Sequence, residues 1–244
     1  MVSSAPELAT SILKRQRLVI AGGLALLVAL AWWFLANGAG MGRSGMASMQ
    51  PPIGALVLMW WLMMMAMMLP SAAPIILLYT RVLEHRGHGE RFSAPWVFAL
   101  GYAIVWLAFA LAAAAVQSLL AAPEMRLADS RAASGVLMAA GIYQLSPLKN
   151  ACLSRCRSPA QFLSRHWRPG IDGAIRLGAL HGAYCVGCCW MLMALLFVGG
   201  VMNFAWIAVL TLAVAIEKLV PNGEWLGRAA GVGLIGWGLF RLLL

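Results

Sequence analysis

Residues 181–193 read His-Gly-Ala-Tyr-Cys-Val-Gly-Cys-Cys-Trp-Met-Leu-Met and hold three of the chain's five cysteines. His181, Cys185, Cys188 and Cys189 fall at i, i+4, i+7 and i+8, which on a helix is a single stripe of surface. Thiolate and imidazole are soft or borderline ligands, and four of them on one face can converge on a soft ion such as Cu(I). The plainer alternative is that each Cys packs as a small hydrophobe and that His181 is a hydrogen-bonded interfacial residue. The shared stripe favours metal or thiol chemistry. Gly182 and Gly187 interrupt the segment with residues that let another helix approach closely.

A second run of soft donors is Met59-Trp60-Trp61-Leu62-Met63-Met64-Met65-Ala66-Met67-Met68-Leu69-Pro70. On a helix Met59, Met63 and Met67 stack on one face, and Met64 and Met68 on another. A thioether is neutral and stays a ligand in apolar surroundings, so Met63, Met64, Met67 and Met68 are candidate Cu(I) ligands. Taken alone, the run fits flexible interface filling better. Pro70 and Pro74 deprive the carbonyls of Ala66 and Pro70 of their helical donors. In lipid such carbonyls must find another donor or line a polar cavity, so a kink is expected there.

The third candidate is Cys152-Leu153-Ser154-Arg155-Cys156-Arg157, with Cys152 and Cys156 one helical turn apart. The sequence places it in a loop, where the neighbouring Lys149, Arg155 and Arg157 would favour thiolate, the metal-binding form. Two pairs at zinc-ribbon spacing are absent. His85 and His88 flank a glycine in a charged segment and fit solvated residues better than ligands. Met41, Met46 and Met49, in a Gly-rich segment between apolar runs, are candidates for capturing Cu(I) outside. Glu217 and Lys218 close an apolar run; a carboxylate there marks either a functional site or an interfacial ion pair.

The elements that must position these residues follow from composition. Of the 244 residues 62% are apolar and only 11% charged, with a mean hydropathy of +0.83. A soluble domain averages about 45–50% apolar and about 25% charged, and disorder requires far less apolar content, so the solvent must be lipid. Apolar runs at 18–36, 53–79, 95–122, 132–148, 177–200, 203–220 and 226–244 are each near the roughly 20 residues that cross a bilayer. The expected fold is therefore all-α, a polytopic helical membrane protein with about seven transmembrane helices. Residues 1–17 form an N-terminal segment and 18–244 a single membrane-embedded domain. The first run follows Lys14, Arg15 and Arg17 but has the length of a full span and no clean small-x-small cleavage site, so it is expected to be retained.

The net charge of +10 does not indicate nucleic acid, because no basic face carries interleaved exposed aromatics. Its 18 basic residues fall instead in the gaps between apolar runs. With the N-terminus cytoplasmic, 14 of the 18 lie on the inner side, including Lys149, Arg155, Arg157, Arg165, Arg168 and Arg176. This is the positive-inside asymmetry, and it places residues 149–176 in the reducing cytoplasm. A disulfide generator would need its cysteine pairs on the opposite side. No phosphate-binding motif appears, which excludes ATP-driven pumping, and no His pair suits haem ligation.

Several segments together resemble a bacterial family of metal-binding integral membrane proteins described as copper chaperones for copper enzymes. They are Met-Met-Ala-Met-Met-Leu-Pro-Ser at 64–71, Tyr-Gln-Leu-Ser-Pro-Leu-Lys at 143–149 and Cys-Leu-Ser-Arg-Cys-Arg at 152–157. Cys-Val-Gly-Cys-Cys-Trp at 185–190, Gly-Val-Met at 200–202 and Glu217-Lys218 continue the match. The resemblance covers about residues 53–240. It implies a non-enzymatic protein of the bacterial inner membrane that carries Cu(I), with a copper-dependent enzyme as partner and no catalytic residues. A membrane thiol-disulfide oxidoreductase and a non-catalytic assembly subunit are the alternatives.

Overall fold

A computed structural model of the chain describes residues 5–37, 52–86, 92–120, 127 and 130–243, with backbone alone for 5–15, 85, 86 and 120. Met41, Met46, Met49 and His88 lie outside the described residues, and so does the side chain of His85. The described residues form ten helices and no strand. They are α1 (Ala5–Ala36), α2 (Ile53–Arg86), α3 (Ala94–Leu120), α4 (Ser130–Leu145) and α5 (Pro147–Arg157). After them come α6 (Pro159–His166), α7 (Gly170–Ala194), α8 (Leu196–Gly199), α9 (Phe204–Leu219) and α10 (Gly223–Leu243).

Five stretches are long and apolar enough to cross a bilayer: Gln16–Ala36, Ile53–Glu84, Ala94–Leu119, Gly170–Gly199 and Gly223–Leu243. At most half of each is buried within the protein, and large apolar side chains such as Leu26, Trp33, Leu100, Leu119 and Phe240 face outward. Such a surface is consistent with a multi-pass membrane protein. Helices α4 and α9 have 16 residues each. At 1.5 Å per residue they reach about 24 Å, short of the roughly 30 Å of hydrocarbon. The count of about seven spans thus resolves into five long helices and two short ones at the expected places.

Small residues set how closely the helices pack. A Cβ added to Gly178 of α7 would lie 2.0 Å from the Phe98 carbonyl oxygen of α3, and one on Gly101 would lie 2.2 Å from the Ile175 carbonyl oxygen. Helices α4 and α10 meet in the same way, through Gly141 and Gly231. Without water to drive apolar faces together, such backbone-to-backbone packing is what membrane helices use.

Helix α5 departs from the expected loop. Ser146 caps it by accepting from the Lys149 backbone N–H at 3.2 Å, and Pro147 opens its first turn. The chain therefore turns back immediately after α4, and α5 lies along α7. A Cβ on Gly187 would stand 2.8 Å from Cys152 Sγ. Gly187 is 17 residues past the start of α7, so Cys152 lies about 25 Å along that helix at 1.5 Å per residue. Cys152 and Cys156 are packed into the bundle rather than displayed on a loop.

Candidate metal centre

Five helices contribute to one buried cluster. Helix α7 supplies Cys185, Cys188 and Cys189, all buried, with the thiols of Cys188 and Cys189 donating back to the Cys185 carbonyl at 3.1 and 2.9 Å. The i, i+4, i+7, i+8 stripe is present, and its sulfur face meets α2: Cys189 Sγ lies 3.8 Å from Met68 Sδ. Helix α3 adds Tyr102, whose hydroxyl is 3.1 Å from Cys185 Sγ and also donates to the Met68 carbonyl at 3.2 Å. Helix α9 adds Lys218, whose ammonium is 2.9 Å from Cys185 Sγ and 4.0 Å from Met68 Sδ. Helix α5 closes the cluster from the side of Cys188, which hydrogen-bonds Cys156.

Most of the methionine run is buried: Met59, Met63, Met64, Met67 and Met68 are each at most 1% exposed, while Met65 is partly buried. Met68 is the member whose sulfur touches the thiols. Its neighbourhood follows from the prolines, though α2 runs on as one helix through Pro70 and Pro74. The Ala66 carbonyl freed by Pro70 accepts from the Trp32 indole at 3.1 Å, a replacement donor supplied by α1. The Met68 carbonyl accepts from Ser71 Oγ at 2.8 Å as well as from Tyr102. Replacing Met63, Met64, Met67 and Met68 together by Leu conserves volume within about 1.5 kcal/mol per site while removing the sulfur donors. Copper retention is expected to fall with folding intact, and Met68→Leu alone should account for most of the fall. Unchanged copper binding in the quadruple variant would assign the run to packing.

His181 is 3% exposed and held among rings: Tyr102 stacks on it with centroids 6.0 Å apart, and Phe162 meets it edge-on at 5.4 Å. Its Nδ1 has no hydrogen-bond partner. A buried polar nitrogen without a partner is rare and leaves one donor or acceptor position open beside the thiols. Lys218 and Cys188 are within electrostatic reach of the ring.

Two of the three cations expected to act on Cys152 and Cys156 are engaged elsewhere. Lys149 pairs with Glu217 and Arg157 with Glu224, and the ammonium within reach of Cys156 is Lys218 from α9. Proximity in the chain did not translate into proximity in space.

A buried polar group ties the frame of this cluster. Lys149 Nζ lies 2.6 Å from Glu217 Oε2, with residue exposures of 1% and 3%, and Gln144 Nε2 donates to the other carboxylate oxygen. The acid is thus neither free nor paired with its chain neighbour Lys218. Gly227 leaves room for it, since a Cβ there would stand 2.8 Å from Glu217 Oε1. Helices α4, α5, α9 and α10 converge on this one carboxylate. Tyr102 carried no signal in the sequence, being a single polar residue in an apolar run, and Gln144 was visible only as part of the 143–149 motif. Lys218 was visible as an intramembrane charge, but its direction was not.

Among the described residues no group of three or more His, Cys, Asp and Glu side chains stands in metal-binding array. The sulfurs of Cys189 and Met68 meet, and the Lys218 ammonium lies between the sulfurs of Met68 and Cys185. Thiol and thioether sulfur in an apolar enclosure suits a soft monovalent ion and is a poor host for hard ions, which require oxygen. A family model, PpoB2, described as a copper chaperone, matches residues 57–241, a range that includes every residue of the cluster. No curated protein and no solved structure matches the chain.

Proposed function

From the chain's membership of the PpoB2 copper chaperone family, we propose that it is an integral membrane protein that binds Cu(I) and hands it to a copper-dependent enzyme. The observation that carries this reading is the meeting of the Cys185 and Cys189 thiols with the Met68 thioether inside an apolar bundle. Soft donors select Cu(I) over harder ions. Cys185, Cys188 and Cys189 form the principal site, with Met68 and His181 as further donors and Met63, Met64 and Met67 lining it. Cys156, next to Cys188, and Cys152 beside Gly187 form a route by which the ion enters or leaves. Both are half-buried, so sulfur donors run from the enclosed cluster to more open positions. Ligand exchange between neighbouring sulfurs moves Cu(I) without releasing it to water. The protein carries out no reaction of its own.

Copper stoichiometry of the full chain, purified in detergent and equilibrated against a competing Cu(I) chelator, tests this reading. About one tightly held Cu(I) per chain is expected from one cluster of soft donors. No retention above that of a chain with all five cysteines replaced by Ser would overturn it.

The proposal places the protein in the bacterial inner membrane with the N-terminus cytoplasmic. The support is the charge asymmetry, which puts 14 of 18 basic residues on one side. In a cysteine-free background, Ser164→Cys introduces a thiol at an exposed position of α6, shortly before α7 begins. An impermeant thiol reagent should leave it unlabelled in intact cells and label it after permeabilisation. Labelling in intact cells would reverse the orientation.

A further inference from the structure

One charged group lies within the sulfur cluster and has no part in the Cu(I)-binding reading. Lys218 is 7% exposed, and its Nζ stands 2.9 Å from Cys185 Sγ, 3.5 Å from Ser71 Oγ and 4.0 Å from Met68 Sδ. Its chain neighbour Glu217 is turned to Lys149 and Gln144. Among the described residues no carboxylate pairs with Lys218. A buried ammonium without an opposing charge is costly. The group facing it most closely is the sulfur of Cys185, with the Met68 sulfur and the Ser71 hydroxyl on its other sides. Two sulfurs and a hydroxyl around one positive charge is also the set of neighbours a soft monovalent metal ion would take.

We propose that the Lys218 ammonium is a resident cation that holds the place of a soft monovalent metal ion at Cys185 and exchanges with it. The inference rests on the Cu(I)-binding reading above and assigns its charge selectivity to one residue. Ammonium and Cu(I) each carry a single positive charge, so the exchange leaves the charge facing Cys185 unchanged. The flexible four-carbon stem lets the ammonium withdraw toward Ser71 as the metal arrives. Its return to Cys185 favours release of the metal to an acceptor. A divalent ion beside the withdrawn ammonium meets twice the repulsion of a monovalent one in the same enclosure. Lys218 is thus a positioning residue that discriminates by charge where the sulfur donors discriminate by softness.

The test uses the full chain in detergent with Ag(I) and Cd(II) as probes, both soft and differing in charge. Lys218→Met keeps the length of the side chain and removes the charge. Its preference for Cd(II) over Ag(I) is expected to rise at least about tenfold over the wild type, the scale of one charge pair at close range in a partly shielded interior. Its release of Ag(I) to an external thiol is expected to be slower. Lys218→Arg, which keeps the charge, should retain the wild-type preference. A role in packing alone would change both metals alike and leave their ratio where it was. Lys218→Gln provides the same comparison where the Met variant fails to fold. An unchanged ratio in the uncharged variants, or an equal shift in Lys218→Arg, would overturn the assignment while leaving Cu(I) binding intact. Failure of the wild type to bind either Cu(I) or Ag(I) would overturn the copper role and this inference with it.

Discussion

Replacement of Cys185, Cys188 and Cys189 together by Ser is expected to abolish most Cu(I) binding while leaving the protein folded. The fold should survive because Ser reproduces the local bonding. Cys188 and Cys189 each donate to the Cys185 carbonyl at 3.1 and 2.9 Å, and a hydroxyl can donate in the same direction. The oxygen at 185 can still accept from Tyr102 and Lys218, which lie 3.1 and 2.9 Å from the present sulfur. The chemistry should not survive. Three soft, ionisable donors become hard and neutral ones, leaving Met68 and His181 as the remnant of the site. Loss of groups that merely support a metal's ligands costs about 10–100-fold in affinity, so loss of the ligands themselves should exceed about 100-fold. Chelator competition measures the affinity, and a far-ultraviolet spectrum with gel filtration measures the fold. Full loading of the triple variant would remove this cluster as the site and leave Cys152 and Cys156 as the candidate.

Lys149→Met should be the most destabilising single substitution outside the sulfur cluster. It strips the partner from a carboxylate that is 3% exposed, and breaking one half of a buried pair typically costs about 3–5 kcal/mol. The loss should appear as a lowered midpoint of unfolding in detergent. Lys149→Met with Glu217→Gln removes both charges and keeps a side chain that can bond Gln144, so at least half of the stability should return. The contrast separates charge compensation from side-chain packing. A single variant that loses less than about 1 kcal/mol, the scale of an exposed pair, would show that water reaches Glu217. Because this carboxylate joins α4, α5 and α9 beneath Gly227 of α10, copper binding should weaken in the single variant and recover in the double.

Much of the site was legible in the sequence because its key residues share one helix. Periodicity alone places Cys185, Cys188 and Cys189 on a common stripe with His181, and the rise and turn of a helix are insensitive to what surrounds it. The same reasoning picks out the Met run and the carbonyls that its prolines would orphan. For Ala66 it anticipated a replacement donor without naming Trp32, because that indole comes from a helix 34 residues away. The expectation for Cys152 and Cys156 failed for a related reason. Charge density in the chain suggested an exposed basic loop, yet Ser146, Pro147 and the close approach at Gly187 fold α5 along α7. Lys149 and Arg157 then find their own carboxylates and are withdrawn from the thiols.

The sequence by itself determined that this chain is largely helical, carries apolar runs long enough to cross a membrane and sets soft donors at helical spacing. These properties follow from composition and short-range periodicity, which depend on residues close together in the chain. Tertiary structure decided which donors meet. It selected Met68 from a run of similar methionines, placed the Tyr102 hydroxyl on Cys185, and turned the adjacent side chains of Glu217 and Lys218 to different partners. Crossing angles and small-residue contacts between helices fix such choices, and residues far apart in sequence contribute jointly to each. In a medium where every buried charge and hydrogen-bonding group must be satisfied within the protein, that arrangement decides where an ion can be held.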